Sequence, residues 1–286
     1  MKVLVLGATG TVGGAVTRAL QEQGVDVAAL TRSAEKASTL PKGVEARVGD
    51  LNQPQEVGSA FKGVDGLFLL NAVTSSELQE GLFALHWAKH HAVKHLVYLS
   101  VQHTERAPHI PHFASKAMIE QAIKKSGVPH TIVQPNNFFQ NDYWFKDALL
   151  QYGVYPQPLG SAGIDRVDVR DIAAAVASAF GKGPDKRTYV LGGPDSWTGE
   201  STAAIWSKHL GRPIRYAGDD LNAWETQQLQ YLPHWMVFDF KIMYEHFQQH
   251  GFRNEPGERD AAEALIGKPF RTFDAFAAET AKMWNG

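Results

Sequence analysis

The N-terminal segment carries the feature that most constrains the fold, a short apolar run that ends in three evenly spaced glycines. Residues 2–7 are KVLVLG, a pattern typical of a strand buried on both faces of a parallel sheet. Apolar residues then recur at the spacing of one helix face, at Val12, Ala15, Val16, Ala19 and Leu20. The chain therefore begins with a predicted strand, a tight glycine turn and an amphipathic helix.

The same alternation continues through the first half of the chain. Further strands are predicted at residues 25–32, 44–50, 66–73, 95–101 and 130–135, with helical patterns between them. Repeated strand–helix units predict an α/β fold, a doubly wound parallel sheet with right-handed crossovers. The pattern loosens after residue 141. We expect a main domain over residues 1–150, to which residues 165–195 return, and a smaller, mostly helical C-terminal lobe over residues 151–286.

The composition argues against several functional classes. The 286 residues include 28 Lys and Arg and 30 Asp and Glu, a net charge of −2 without any basic run, so nucleic acid is not an expected partner. The absence of cysteine removes disulfides and thiol nucleophiles. No apolar run approaches the ~20 residues of a membrane span, so we expect no membrane partner and a cytoplasmic location. His86 and His90 stand four residues apart, but no carboxylate completes a zinc pattern, so no metal is expected.

The glycines at Gly7, Gly10 and Gly13 have a spacing that suits a dinucleotide phosphate. The first glycine permits the tight turn, the second lets the backbone approach a pyrophosphate, and the third lets the helix pack closely on the strand. The helix that follows offers unpaired N–H groups and a positive dipole end. The backbone that would contact the phosphates includes Thr9, Thr11 and Val12.

Residues at the ends of the next three strands fit the rest of a dinucleotide. Arg32 stands where NAD enzymes usually have an acid, and its planar guanidinium can pair with a 2′-phosphate. This predicts a preference for NADP(H) over NAD(H), with a solvated surface arginine as the alternative. Asp50 suits the adenine amino group, although an N-cap for the following helix is a close alternative. By position alone, the groove is also expected to include Leu51, Asn71 and Ala72.

Several stretches together resemble the NmrA-like group of atypical short-chain dehydrogenases/reductases. They are LGATGTVGG at residues 6–14, LTRSAEKASTL at 30–40, GDLNQPQEV at 49–57, HFASKAMIEQAIKKSGVPHTIVQPNNFFQN at 112–141 and LIGKPFRTFDAFAAE at 265–279. The resemblance implies a Rossmann fold with an NAD(P) cofactor. It also implies one of two activities, because the group includes reductases of quinones, dyes or aromatic compounds as well as dinucleotide-binding proteins that regulate a partner.

The resemblance implies an active site at Ser100, His112 and Lys116. In related reductases a Ser or Thr after the fifth strand acts with a Tyr and a Lys spaced as Tyr-x-x-x-Lys. Ser100 and Lys116 match this pattern, whereas His112 stands where the tyrosine is expected. Lys116 can bond the nicotinamide ribose without a tyrosine. For His112 we keep three roles open: a proton donor, a substrate hydrogen bond or a helix cap.

The histidine in place of tyrosine changes which acceptors suit the site. A neutral imidazole is a poor proton donor, and hydride addition to an ordinary ketone needs a strong one. Addition to a quinone gives a resonance-stabilised phenolate, and a cationic dye needs no proton. We therefore predict an NADPH-dependent reductase of an electrophilic quinone-like or aromatic small molecule. The alternative is an NADP(H)-binding redox sensor that acts through a regulator protein with little or no turnover.

The loop after the sixth strand completes the predicted site. In the implied fold this loop faces the nicotinamide, so Asn136 and Phe138 are expected to contact the cofactor. We predict an aromatic acceptor pocket from Phe139, Tyr143, Trp144 and Trp235. The alternative for these aromatic residues is an ordinary hydrophobic core. The sequence leaves the oligomeric state open.

Overall fold

The computed structural model describes residues 1–285 and is built on one large parallel sheet. The strands are β1 (Lys2–Val5), β2 (Asp26–Thr31), β3 (Glu45–Val48), β4 (Gly66–Leu69), β5 (His95–Leu99), β6 (His130–Pro135), β7 (Val154–Tyr155), β8 (Thr188–Leu191) and β9 (Arg215–Tyr216). Seven of them form a sheet in the order β3-β2-β1-β4-β5-β6-β8, and β7 pairs with β9. The neighbours from β3 to β6 run parallel. This order confirms the predicted doubly wound sheet, in which the strand order, and not the strand direction, switches between β1 and β4.

Helices cover the connections between the strands. They are α1 (Thr11–Glu22), α2 (Ala34–Ala37), α3 (Pro54–Val57), α4 (Glu77–His90), α5 (Pro111–Ser126), α6 (Lys146–Tyr152), α7 (Val169–Lys182), α8 (Gly199–Leu210), α9 (Leu221–Gln228), α10 (His234–His250), α11 (Glu258–Ile266) and α12 (Phe273–Asn285). Short 3-10 turns lie at Gly58–Phe61, Thr104–Arg106 and Phe139–Phe145. Among the residues described, no helix combines the length and apolar character that crossing a bilayer requires.

The chain divides into two compact units. The first contains Met1–Pro135, Val169–Val190 and Ala261–Lys268; the second contains Asn136–Asp168, Leu191–Asp260 and the residues from Pro269 onward. The first segment of this unit thus ends at Pro135, whereas the expected main domain extends to residue 150, and the unit continues at Val169–Val190 and again at Ala261–Lys268. The earlier boundary arises because the turn after Pro135 packs into the second unit, where Phe139 contacts Phe273 and Phe276.

The core of the first unit lies between the sheet and the helices α4 and α5. Leu67 and Leu96 from neighbouring strands pack there with Ala84 and Ile119 from the two helices. The helices approach each other closely at Gly81, where an added Cβ would lie 2.5 Å from Ile119 Cδ1. This close approach holds the N-terminal halves of α4 and α5 near each other, and these halves carry the polar residues described below.

The second unit is built around a buried charged network. Arg166 donates to Asp142 Oδ1 at 2.6 Å, and both side chains are fully buried. Trp206 Nε1 donates to Asp142 Oδ2 at 2.8 Å, and the Tyr155 hydroxyl lies 3.3 Å from Oδ1. Burial raises the pKa of the Tyr155 hydroxyl well above its usual range, so that group stays a neutral donor. Asp142 therefore accepts hydrogen bonds from several sides and is the centre of the network.

Candidate functional site

The turn after β1 forms a tight cradle in which Gly7 and Gly13 leave no room for a side chain. Gly7 has a φ of +69°, and its carbonyl oxygen accepts a hydrogen bond of 2.9 Å from the Gly10 N–H. Gly13 lies against the same carbonyl, because a Cβ added at Gly13 would stand 2.1 Å from Gly7 O. The three glycines thus hold the start of α1 directly against the end of β1.

The N-terminus of α1 is open to an anion. Gly10 is its N-cap and supplies no side-chain hydrogen bond. The first N–H groups of a helix have no intrahelical partner, so a phosphate can accept from them. Thr9, Gly10 and Thr11 are exposed, whereas Val12 is buried with the core face of the helix. Backbone rather than side chains therefore faces a ligand here, except at the two threonines.

The ends of β2 and β3 carry the other residues predicted to bind the adenosine half. Arg32 is exposed directly after β2 and makes no ion pair within residues 1–285. Asp50 Oδ1 accepts a hydrogen bond of 2.9 Å from the Asn52 backbone N–H, which closes a local turn. The other carboxylate oxygen of Asp50 takes no part in this bond. The Leu51 side chain packs in the core of the first unit, so only its backbone is available to a ligand.

Two buried polar side chains lie at the ends of β4 and β5 without a hydrogen-bond partner among the described residues. They are Asn71, with both its Oδ1 and Nδ2 atoms, and Ser100, with its Oγ. Ala72, beside Asn71, is exposed. A buried polar group without a partner costs roughly 1–3 kcal/mol. These two side chains are therefore suited to bind a polar ligand at the carboxyl edge of the sheet.

Lys116 makes a buried ion pair that the sequence did not reveal. Its Nζ donates to Glu77 Oε1 at 2.6 Å, and the side chains are only 9% and 2% exposed. Lys116 lies on α5 and Glu77 on the first turn of α4. Asn71 lies nearby, since its Oδ1 is 3.3 Å from the Cβ position of Gly81, one helical turn beyond Glu77.

His112 lies one helical turn before Lys116, on the same buried face of α5. Pro111 occupies the first turn of the helix, where its missing N–H costs nothing. The imidazole ring packs edge-on against Phe113, with ring centroids 4.7 Å apart. The structure thus brings His112 and Lys116 together, while the role of the imidazole stays a prediction.

Tyr98 does not replace the tyrosine that is missing from α5. Its side chain is fully buried in the hydrophobic core of the first unit. Burial raises the pKa of its hydroxyl well above the usual range, and the charges of Glu77 and Glu120 raise it further. Tyr98 is therefore a neutral phenol on the core side of the sheet and a poor acid.

Residues predicted near the nicotinamide and the acceptor lie in the second unit. Asn136 is buried and its Nδ2 donates to Phe252 O at 2.6 Å, while Phe138 is half-buried. Phe139 is a core residue, because it is fully buried and packs on Phe273 and Phe276. Phe139 therefore lies in the hydrophobic core of the second unit, which is the alternative to its predicted position in the wall of an acceptor pocket.

The remaining aromatic candidates have exposed surface within the second unit. Tyr143 is partly exposed and packs on Phe276 and Trp284. Trp144 is 76% exposed, and Trp235 on α10 is 41% exposed. These three side chains can still contact a ligand, so their predicted role stays a prediction.

The residues of the first unit fit a dinucleotide cofactor. The glycine cradle and the uncapped α1 N-terminus suit a pyrophosphate. The buried Asn71 and Ser100 side chains and the Lys116 ammonium suit the hydroxyl and amide groups of a nicotinamide riboside. These groups lie at the carboxyl ends of parallel strands, the edge at which open α/β sheets bind ligands.

Comparison with known proteins gives the family. The chain is 32% identical over 280 residues to an NAD(P)H azoreductase of Xenophilus azovorans, and the match covers 96% of each chain. It is also 32% identical over 287 residues to the (4-alkanoyl-5-oxo-2,5-dihydrofuran-3-yl)methyl phosphate reductase of Streptomyces griseus, covering 98% of each. The NADPH-dependent quinone oxidoreductase of Escherichia coli, solved with NADPH, shares the fold with a TM-score of 0.86 and 23% identity over 100% of both chains. The sequence pattern of the NmrA-like family matches residues 1–277, so the chain belongs to the NmrA-like family.

Proposed function

We propose that the protein is an NADPH-dependent reductase that transfers hydride to an electrophilic quinone-like or aromatic small molecule. The observation that carries the proposal is the uncapped N-terminus of α1 above the glycine cradle. Relatives named as reductases that use NAD(P)H or NADPH support it. The regulatory alternative has less support, since the two relatives described above at 32% identity are both named as reductases.

The residues of the first unit have distinct tasks in this proposal. Backbone N–H groups at the start of α1 bind the pyrophosphate, and Arg32 binds the 2′-phosphate. Lys116 donates to the nicotinamide ribose, and Asn71 and Ser100 satisfy polar groups near it. A bound nicotinamide cofactor would supply the hydride. The protein's contribution is then mainly to hold that cofactor and the acceptor in a reactive arrangement.

The acceptor class follows from the weak acid chemistry of the site. Tyr98 is a buried neutral phenol, and His112 occupies the position of the usual tyrosine. An acceptor whose reduced form is a stabilised anion can take its proton from water. The names of the relatives include an azo compound, an unsaturated furanone and a quinone, all of which are conjugated electrophiles. We also propose that the protein acts in the cytoplasm.

Purified protein is expected to oxidise NADPH when a simple quinone or azo dye is added, and to leave an unconjugated ketone unreduced. The reason is that hydride addition to the ketone requires a strong acid, and His112 stands where the usual tyrosine donor is expected. The measurement is the loss of NADPH absorbance across a panel of acceptors. Gly13→Ala protein serves as the control for background reduction. Equal rates with the ketone and the quinone, or no turnover with any acceptor, would contradict the proposal.

Arg32→Ala is expected to lower the ratio of kcat/KM for NADPH over that for NADH by about 10- to 100-fold, the worth of one to two charge-assisted hydrogen bonds. The physical reason is that an exposed guanidinium after β2 can pair with the 2′-phosphate, which NADH lacks. Lys36→Ala removes an exposed cation from α2 nearby and should leave the ratio unchanged. A ratio unaltered in Arg32→Ala would show that Arg32 does not select the cofactor.

A further inference from the structure

The Glu77–Lys116 ion pair is a buried charged feature of the first unit that the proposed function does not by itself require. Nζ and Oε1 are 2.6 Å apart, and both side chains are nearly inaccessible to solvent. Moving an ammonium out of water costs several kcal/mol unless a counter-charge and hydrogen bonds replace the solvent. Glu77 supplies both to Lys116.

The arrangement leaves part of Lys116 available to a ligand. A lysine ammonium has three N–H donors, and Glu77 Oε1 accepts the one hydrogen bond that the structure gives to Nζ. The carboxylate also restricts a long side chain that otherwise has many rotamers, so less entropy is lost when a ligand binds. Asn71, whose buried amide lacks a partner among residues 1–285, lies beside Gly81, one turn after Glu77 on α4.

Glu77 is itself held by the fold. It occupies the first turn of α4, where the helix dipole favours a carboxylate. Gly81, one turn later, lets α4 lie close to α5. The distance between the carboxylate and the ammonium is therefore set by helix packing rather than by flexible loops.

We propose that Glu77 is the positioning residue of Lys116, which it holds oriented so that the two remaining N–H donors bind the ribose at the nicotinamide end of the cofactor. This assignment rests on the proposed function. It gives Glu77 a role in binding the nicotinamide half of the dinucleotide. It gives Glu77 no role in binding the adenosine half, for which the glycine cradle and Arg32 are proposed.

That difference defines the test. Calorimetry compares NADPH with 2′,5′-ADP, a probe that has the adenosine end and lacks the nicotinamide ribose. Glu77→Gln keeps the shape of the side chain and removes its charge. We expect Glu77→Gln to weaken NADPH binding at least tenfold and to leave 2′,5′-ADP binding within twofold of the wild-type protein. Glu80→Gln, which removes a carboxylate from the same end of α4, should bind both ligands as the wild type does.

A double variant separates positioning from stability. Replacing a buried ion pair by apolar residues of similar size often preserves stability, so Glu77→Leu with Lys116→Met is expected to unfold near the wild-type midpoint. It should still bind NADPH at least tenfold more weakly and 2′,5′-ADP normally. Wild-type NADPH affinity in Glu77→Gln, or an equal loss for both ligands, would overturn the assignment. Failure of the wild-type protein to bind either ligand would instead overturn the proposed function and the assignment with it.

Discussion

Gly13→Ala protein is expected to lose at least 100-fold in affinity for NADPH, about 3 kcal/mol of binding free energy. The added Cβ would lie 2.1 Å from the carbonyl oxygen of Gly7 and 2.5 Å from its carbonyl carbon. Both are backbone atoms, so the turn or the helix must move. Either movement displaces the N–H groups that would bind the pyrophosphate, and overpacking costs a further ~1–3 kcal/mol of folding stability.

Titration calorimetry gives the affinity, and thermal unfolding with and without NADPH shows whether the variant is folded. A folded Gly13→Ala protein should unfold cooperatively at a midpoint that NADPH no longer raises. Gly181→Ala is the matched control, because its Cβ on α7 would meet nothing closer than Gln23 Oε1 at 3.8 Å. Wild-type affinity in Gly13→Ala would show that the cradle does not bind the cofactor.

Asp142→Ala is expected to produce a large loss of folding stability, about 3–5 kcal/mol. The substitution leaves the fully buried Arg166 guanidinium without its carboxylate partner. It also removes the acceptor of the Trp206 indole N–H. The measurement is the free energy of unfolding from urea denaturation.

Two variants control for the effect of removing a carboxylate. Asp195→Asn changes an exposed acid of the same unit and should alter stability by less than about 0.5 kcal/mol. Asp142→Leu combined with Arg166→Met removes both charges together and should recover part of the lost stability. If Asp142→Ala were as stable as Asp195→Asn, the network would contribute nothing to folding.

Much of the first unit could be predicted because its signals are local. The strand predicted at residues 25–32 is observed as Asp26–Thr31, and the helix after the glycine turn is observed as Thr11–Glu22. The strand predicted at residues 66–73 ends earlier, at Leu69, because its ladder with β5 ends at the pair Leu69 and Tyr98. Pairing between strands, which a single sequence does not contain, decides such boundaries.

Glu77 could not be found by the same reasoning. An acid in the first turn of a helix predicts a favourable interaction with the dipole and an exposed side chain. Its burial against Lys116 depends on the packing of α4 on α5, a contact across 39 positions of the chain. The one local signal is Gly81, four residues later on the same helix face, which permits the close approach.

Phe139 shows a different limit of prediction from the sequence, because residue type alone does not separate a ligand pocket from a core. An aromatic side chain after a strand is compatible with both a ligand pocket and a core, because the two environments select the same residue types. Only the partners decide, and Phe273 and Phe276 lie more than a hundred residues further along the chain. Exposure separates Trp144 from Phe139 although both follow the same strand.

The discontinuous first unit has a consequence for synthesis on the ribosome. A nascent chain ending near residue 150 contains six strands of the sheet but lacks β8, which pairs with β6, and α7, whose Phe180 approaches Gly66. Such a chain exposes an open strand edge and an uncovered apolar face, the surfaces that promote aggregation. The first unit, which contains the glycine turn after β1, is completed only when residues 261–268 have been translated.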